Sequence, residues 1–441
     1  MIYLHDEPQI KAVVANRDLK IAFIGLGRVG LPLAATLADA GFTVNGIDIN
    51  PRVVDAVNNA TSPYPDEQGL TELIQKTVSS GKLCASTDYA VIRKSDIIII
   101  AVPTLIEDQK PDISAIHKVA ERMNSYMDTG KVVVLQSTVP PETTQSILGE
   151  FTYKNIKLEA GIDFGLVYSP ERTQSPQVVA DLKSYPKIIG AIDDKSALVL
   201  SEVYKTFAPS VIRMKNIVAA ELEKVMENTY RDVNIAFANE MALLCQLYGI
   251  DVQELITVAN SQPFSHILQP GLVGGHCIPM DPYYAISDAA SRGFDTKLIR
   301  TARELNEDIF TVITDMVPNE VQNVTILGLS FKPGVKSFET SHTPRLVKKL
   351  EERGLNITVH DPYLENTLYN FKTEANLCQA ITGADCLILS TAHEQYKTLD
   401  LTQVKSLMNG DLVIDIRAFW EPEEIKQYGF KYKGLGRMFN D

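Results

Sequence analysis

Short apolar runs recur along the chain, separated by polar and glycine-rich breaks. Residues 19–24, L-K-I-A-F-I, read as a buried strand that runs into G-L-G-R-V-G, and a helical pattern follows from Val29 to Asp39. The chain returns as the strand Phe42–Ile47 and reaches Asp48. Ser95–Pro103 and Lys131–Pro140 read as further buried strands, and Leu166–Tyr168 and Pro186–Ile189 as shorter ones. Continuous apolar strands of this kind belong to parallel sheets covered on both faces.

The pattern changes near residue 214. Ile217 to Tyr248 has no proline or glycine and predicts one long helix or two continuous ones. Its apolar positions include Val218, Leu222, Val225, Val233, Phe237, Met241 and Leu244. Glu221, Lys224, Asn228 and Arg231 recur at spacings of three and four and form one polar stripe, ordinarily a solvated surface. Helices are expected at Asp251–Ala259 and from Thr296 to about Val317. A second α/β pattern starts at Asn323. It has strands at Val324–Leu329, Asn356–Asp361, Cys386–Ser390 and Val413–Asp415, and a helix from Thr343 to about Glu352.

The expected fold class is α/β, with two Rossmann-like domains joined by a central helical domain and a long connecting helix. The divisions are 1–18, an N-terminal appendage with a short helix from Gln9 to Asn16; 19–213, the first nucleotide-binding domain; 214–315, helical and a dimer surface; and 316–441, the second sheet.

Composition narrows the partners. A net charge of −13 over 441 residues argues against nucleic acid or an acidic membrane surface. No apolar stretch reaches bilayer-spanning length, so a cytoplasmic location is expected. Five cysteines, at 84, 245, 277, 378 and 386, include no C-x-x-C pair, which speaks against a disulfide framework and against a metal site.

The chemistry begins at Gly25-x-Gly27-x-x-Gly30. The first glycine makes the turn, the second admits a pyrophosphate, and the third lets helix and strand pack. The helix N-terminus then offers N–H groups to phosphate, beside Arg28 and Val29. Asp48 ends the second strand, where a carboxylate binds ribose hydroxyls and repels the extra phosphate of NADP, so NAD is the expected cofactor. Arg52, one turn on, can stack on adenine or meet phosphate. Pro103, Thr104 and Thr138 lie at C-terminal strand ends, the edge where ligands sit in such sheets. Lys332 and Arg417 follow strand ends of the second sheet and can hold phosphate.

The stretch Ile267–Tyr284, I-L-Q-P-G-L-V-G-G-H-C-I-P-M-D-P-Y-Y, is a constrained loop carrying Cys277 and, four residues on, Asp281. It reads either as a rigid connection with a structural cysteine or as a reactive loop. A thiolate beside a nicotinamide site suits oxidation past the aldehyde. It forms a thiohemiacetal, which gives up hydride to become a thioester that water cleaves. Lys224 and Asn228 can stabilise the oxyanion, and Asp281, Thr138 and Glu171 can position or activate water.

The sequence resembles the UDP-glucose/GDP-mannose dehydrogenase family over nearly its full length. The resemblance lies in G-L-G-R-V-G-L-P at 25–32, Q-S-T-V-P at 136–140, S-P-E-R at 169–172, the run 221–240, G-G-H-C-I-P-M-D-P-Y-Y at 274–284 and F-K-P-G at 331–334. It implies two NAD-dependent oxidations of a sugar C6 alcohol to a carboxylate, by a homodimer or higher oligomer. It further implies that Cys277 is the nucleophile, Lys224 and Asn228 the oxyanion pair, Asp281 and Thr138 the residues that order water, and Glu171 an acid–base group. Gly274, Gly275, Arg231, Arg303, Phe331, Lys332 and Arg417 become further substrate contacts by the same resemblance. The run E-N-T-Y-R-D-V-N-I-A-F-A-N-E is similar to enzymes acting on UDP-N-acetylmannosamine, whereas the short loop Q-P-G-L-V-G-G-H-C resembles the UDP-N-acetylglucosamine branch. The expected substrate is a UDP-N-acetylhexosamine, with the mannosamine epimer preferred. A two-electron dehydrogenase and a non-catalytic nucleotide-binding protein remain the alternatives. The chain departs from the family at Ser337 and Glu339, where Asp and Arg are usual, and at Arg28, where Tyr is common.

Overall fold

The computed structural model describes residues 1–153, 156–336, 338, 340–364 and 369–437. Ser337 and Glu339 lie outside the described residues. Two compact units emerge, 1–227 with 283–294, and 228–282 with 295–441. The helical stretch 214–315 is thus shared between them.

The first unit opens with helix α1, Glu7–Ala15, which starts earlier than the sequence pattern suggested. Asp6 caps it, accepting the Gln9 N–H while the Gln9 side chain returns to the Asp6 N–H. The extension is no appendage. Ile2, Tyr3, Ile10 and Val14 are buried in the unit's core, and the Tyr3 hydroxyl donates to Asp193 at 2.8 Å. Strand β1, Lys20–Ile24, leads through the glycine turn to α2, Gly30–Asp39, and β2, Thr43–Ile47. Strands β3, Leu83–Ser86; β4, Ile97–Ile100; β5, Val132–Leu135; β6, Gly165–Tyr168; β7, Lys187–Ala191; and β8, Val211–Arg213, complete an eight-stranded sheet. Its order is β8-β7-β6-β5-β4-β1-β2-β3. All pairs are parallel except β6 with β7. Each residue of β4 and β5 is buried, as the unbroken apolar runs require.

Helix α3 is one unbroken helix, Ile217–Tyr248. Its polar stripe is not the solvated face that such a stripe ordinarily forms, although Val225 is buried as the apolar pattern requires. Glu221, Lys224 and Asn228 of the polar stripe are buried, while Leu222, Phe237 and Leu244 are exposed. The period fixes which residues share a face, but what covers that face is decided by the tertiary fold. Helices α4, Val252–Ala259; α5, Asp281–Ser291; and α6, Lys297–Asp315, follow.

The second unit carries a five-stranded, all-parallel sheet in the order β10-β9-β11-β12-β13. Its strands are β9, Asn323–Leu327; β10, Asn356–His360; β11, Cys386–Leu389; β12, Leu412–Asp415; and β13, Lys431–Gly434. Helix α7, Thr343–Glu351, joins β9 to β10. Ala242 and Cys245 of α3, Val252 and Ile256 of α4 and Ile309, Phe310 and Ile313 of α6 share a core with Ile326 and Val359 of the sheet. Helices and sheet in this unit therefore rest on one hydrophobic cluster.

Candidate active site

The glycine turn after β1 is shaped by close approaches. Gly25 has φ of +94°, and a Cβ there would lie 2.2 Å from the Ala101 carbonyl oxygen. A Cβ on Gly30 would lie 2.0 Å from the Gly25 carbonyl oxygen. Around Gly27 there is open space, with nothing within 4 Å of a Cβ position. That is the cradle a pyrophosphate requires, and it sits before the N-terminus of α2. Asp48 follows β2 and accepts N–H bonds from Leu26 and Asn50, both at 2.8 Å, so its carboxylate ties the turn to the second strand. These residues fit an NAD adenosine half. Val29, Arg52 and Pro103 are exposed, and Thr104 and Thr138 are half-buried. Arg28 turns aside, pairing with Asp66 at 2.8 Å over the Tyr64 ring.

Also in this unit, Glu171 follows β6 in the S-P-E-R loop. Its side chain is 7% exposed and meets the Lys187 ammonium at 2.9 Å. Burial alone raises a carboxyl pKa, but the Lys187 charge and hydrogen bond, with the Arg172 and Thr173 N–H groups, outweigh it and hold Glu171 below its ordinary value. Glu171 is therefore an anion at neutral pH. The next residue, Arg172, forks onto Glu227 of α3 with two bonds of 2.9 Å. Glu221 of the same helix accepts the Glu142 and Thr144 N–H groups and the Thr144 hydroxyl, fixing the loop that follows Thr138. Burial raises the Glu221 pKa despite these donors. Neither anchor is singled out as such by the sequence; both lie on helix α3, Glu221 on the polar stripe with Lys224 and Asn228. Lys224, 7% exposed, stands one turn beyond Glu221.

In the second unit, Asn228 donates its amide to Asp281 at 2.6 Å, and both side chains are buried. Asp281 begins α5, and its own N–H donates to the Cys277 carbonyl oxygen at 2.8 Å. Cys277 is exposed and not disulfide-bonded. The sequence candidates Cys277, Asn228 and Asp281 are thus joined through the start of one helix. The preceding loop is clipped by three asparagines that sequence reading passed over. Asn234 takes the Leu268 N–H, Asn260 takes the Ile267 N–H, and Asn239 takes the Gly271 N–H at 2.7 Å. The signal for Asn234 and Asn239 was asparagine within a helix, a modest helix former whose amide can imitate a backbone partner, whereas Asn260 stands just past the end of α4.

The glycines of this loop rest against the second sheet. A Cβ at Gly271 would lie 3.0 Å from an Arg417 nitrogen, one at Gly274 2.6 Å from His342 Nδ1, and one at Gly275 3.2 Å from the Phe331 ring. Arg417 donates to the Ser390 carbonyl oxygen at 2.8 Å and to His342 Nε2 at 3.0 Å. Burial pushes the Arg417 pKa down to about 10 and, together with Arg417, pushes that of His342 down to about 3. Lys332 is half-buried beside Phe331. Arg303 is 2% exposed and clamped by Asp232, at 2.5 Å, and Glu307. Its charge is matched within the unit, so the structure places it among internal ion pairs. Arg231 is half-buried on α3.

Three family models match this chain in order. The UDP-glucose/GDP-mannose dehydrogenase NAD binding domain covers residues 19–208, the central domain 218–308 and the UDP binding domain 325–422. A UDP-N-acetyl-D-mannosamine dehydrogenase of Methanocaldococcus jannaschii is 34% identical, with 95% of this chain and 96% of that protein covered. The solved UDP-D-ManNAc dehydrogenase of Pyrococcus horikoshii superposes with a TM-score of 0.86 at 31% identity, covering 95% of this chain and 99% of that one. An NDP-N-acetyl-D-galactosaminuronic acid dehydrogenase of Methanosarcina mazei gives 0.83 at 28% identity, covering 97% and 98%. The chain belongs to the UDP-glucose/GDP-mannose dehydrogenase family, with its NAD binding, central and UDP binding domains in sequence.

Proposed function

We propose that this enzyme is a UDP-N-acetyl-D-mannosamine 6-dehydrogenase, which oxidises the sugar C6 alcohol to a carboxylate and yields UDP-N-acetylmannosaminuronate. The observation that carries the reading is the Cys277 loop, an exposed thiol whose backbone is hydrogen-bonded to the start of the helix bearing Asp281, itself bound to Asn228. The full-length likeness to relatives named for UDP-N-acetyl-D-mannosamine supports the epimer.

NAD, held by Gly25, Gly27, Gly30 and Asp48, supplies the hydride acceptor. The chain's own residues do the rest. The Cys277 sulfur adds to the C6 aldehyde and retains the carbon as a thiohemiacetal, and oxidation of that adduct leaves a thioester. Lys224 and the second N–H of the Asn228 amide stabilise the oxyanion, while the first N–H keeps the amide aligned on Asp281. Asp281 and Thr138 order the water, and anionic Glu171 takes its proton. Phe331, Lys332 and Arg417 receive the nucleotide, and Gly274 and Gly275 admit the sugar. The protein works as a homodimer, through the exposed Phe237, Leu244, Leu247, Tyr248, Leu255 and Val258. Its expected place is the cytoplasm.

A side-by-side assay with UDP-N-acetylmannosamine, UDP-N-acetylglucosamine and UDP-glucose tests the substrate. The highest kcat/KM is expected for the first. A preference for UDP-N-acetylglucosamine, which the short glycine loop favours, would replace this assignment with its epimer. Lys224→Ala should lower kcat about a hundredfold with little change in NAD affinity.

A further inference from the structure

The ends of β9, β10 and β11 meet in a cluster to which the catalytic reading gives no task. Ser330, Asp361 and His393 are each at most 1% exposed. Asp361 Oδ2 accepts the Leu329 N–H at 2.7 Å, the Ser330 N–H at 2.9 Å and the Ser330 hydroxyl at 2.9 Å. His393 Nε2 lies 3.0 Å from the same oxygen and 2.8 Å from Ser330 Oγ. Its other nitrogen, Nδ1, accepts the Gly334 N–H at 3.2 Å. That bond fixes the tautomer, since an Nδ1 that accepts leaves the proton on Nε2, facing Asp361. Gly334 is itself at the surface, with φ of +74°, and closes the Phe331–Gly334 turn. The histidine thus stands wholly buried beneath an exposed turn and is bonded at both nitrogens.

We propose that His393 is a positioning residue for the nucleotide half of the substrate: through the Gly334 N–H on one side and Asp361 with Ser330 on the other, it holds the Phe331–Gly334 turn in the shape that receives the sugar nucleotide. This rests on the reading of Phe331 and Lys332 as substrate contacts. His393 touches no reacting atom, so its loss acts on nucleotide affinity and not on the oxidation steps. The two nitrogens have separate tasks, and they can be separated. His393→Asn keeps an acceptor near the Nδ1 position, whereas His393→Gln keeps a donor near the Nε2 position.

Calorimetric binding of UDP and of NAD, with kcat and KM for the UDP-sugar, distinguishes the outcomes. In His393→Gln the Kd for UDP and the KM should rise roughly tenfold, the effect of about one hydrogen bond, with kcat within twofold and NAD affinity unchanged. His393→Asn, which keeps the acceptor for the Gly334 N–H and loses the bond to Asp361, should lose less UDP affinity than His393→Gln. Equal UDP affinity in both variants, or a loss of thermal stability with UDP affinity unchanged, would overturn the proposal. Lys332→Ala is the control. If it leaves UDP affinity unchanged, the substrate reading of the turn fails. If it weakens UDP binding while His393→Gln does not, only the role of His393 fails. In the unaltered protein, hydrogen exchange at the Gly334 amide should be protected and should slow further with UDP. An amide exchanging at the unprotected rate with and without UDP would equally count against it.

Discussion

The two sheets turn the chain in the same way and leave opposite results. In the first, Gly25 ends β1 with φ of +94° and donates to the Ile47 carbonyl oxygen at 2.8 Å. In the second, Gly328 ends β9 with φ of +99° and donates to the His360 carbonyl oxygen at 2.7 Å. Leucine follows in both, Leu26 and Leu329, and each donates its N–H to the aspartate just beyond the neighbouring strand, Asp48 or Asp361. The difference comes at the next residue. Gly27 has open space where its side chain would be, whereas Ser330 fills the equivalent place and bonds Asp361. Asp48 is only half-buried, while Asp361 is sealed under His393. One turn is thus left open for a ligand and the other is closed on itself. A repeated βαβ unit accordingly does not imply a repeated binding mode.

The largest effect should come from what the turns share. Valine at Gly25 or Gly328 would meet backbone at 2.2 Å from Ala101 or 2.6 Å from Thr391. Each substitution should cost more than about 3 kcal/mol and unfold its own sheet. Trp420, the chain's one tryptophan, is buried in the second unit, so its fluorescence reports that unit. Gly328→Val should alter Trp420 emission, whereas Gly25→Val should lose helical ellipticity first. Identical fluorescence changes in both would break the comparison of two separately built turns.

The next effect should come from what differs. Gly27→Ser places the second sheet's residue in the first. It should weaken NAD binding at least tenfold with little loss of stability, because only the cradle is filled. Ser330→Gly should leave NAD affinity alone and cost about 1–2 kcal/mol through the lost hydrogen bond and the gain of backbone freedom. NAD titration of both variants checks the pair, and an unaffected Gly27→Ser would remove the first turn from the cofactor site.

A third effect concerns pH. In the second unit, burial lowers the pKa of His342 to about 3 and that of His360 below its ordinary value. The unfolded chain takes up these protons near pH 6.5 and the folded unit does not, so stability falls as pH drops below 6.5. For His342 the loss continues down to about pH 3 and reaches roughly 3 kcal/mol by pH 4. Asp361, held down to about 2 against its burial by His393 and backbone N–H groups, adds a further loss between about pH 4 and 2. Denaturant titrations followed through Trp420 should show this slope, and His342→Asn should flatten its upper part. A slope unchanged in that variant would assign the acid sensitivity elsewhere.

Much of this was legible in the sequence. The fingerprint at Gly25–Gly30 and the bounds of the helix Ile217–Tyr248 follow from local spacing, whereas the strands expected at Ser95–Pro103 and Lys131–Pro140 are shorter, Ile97–Ile100 and Val132–Leu135. The central stripe is legible, with Lys224 and Asn228 on it as site candidates, but the burial of Glu221 is not, because it comes from a loop that begins at residue 142. The clips at Asn234, Asn239 and Asn260 join residues up to 34 apart, and the His393 bond to Ser330 spans 63. Neither distance has a period to announce it. Residues 1–18 read as an appendage, although Ile2, Tyr3, Ile10 and Val14 are buried in the core of the first unit.

The central claim is that one chain carries the C6 carbon through both oxidations, with Cys277 holding it between them. The most direct test is to count NADH against UDP-N-acetylmannosamine consumed to completion. Two NADH per sugar, with the carboxylate as the product, is the result expected. One NADH per sugar, or full turnover to the acid by a Cys277→Ser variant, would contradict it.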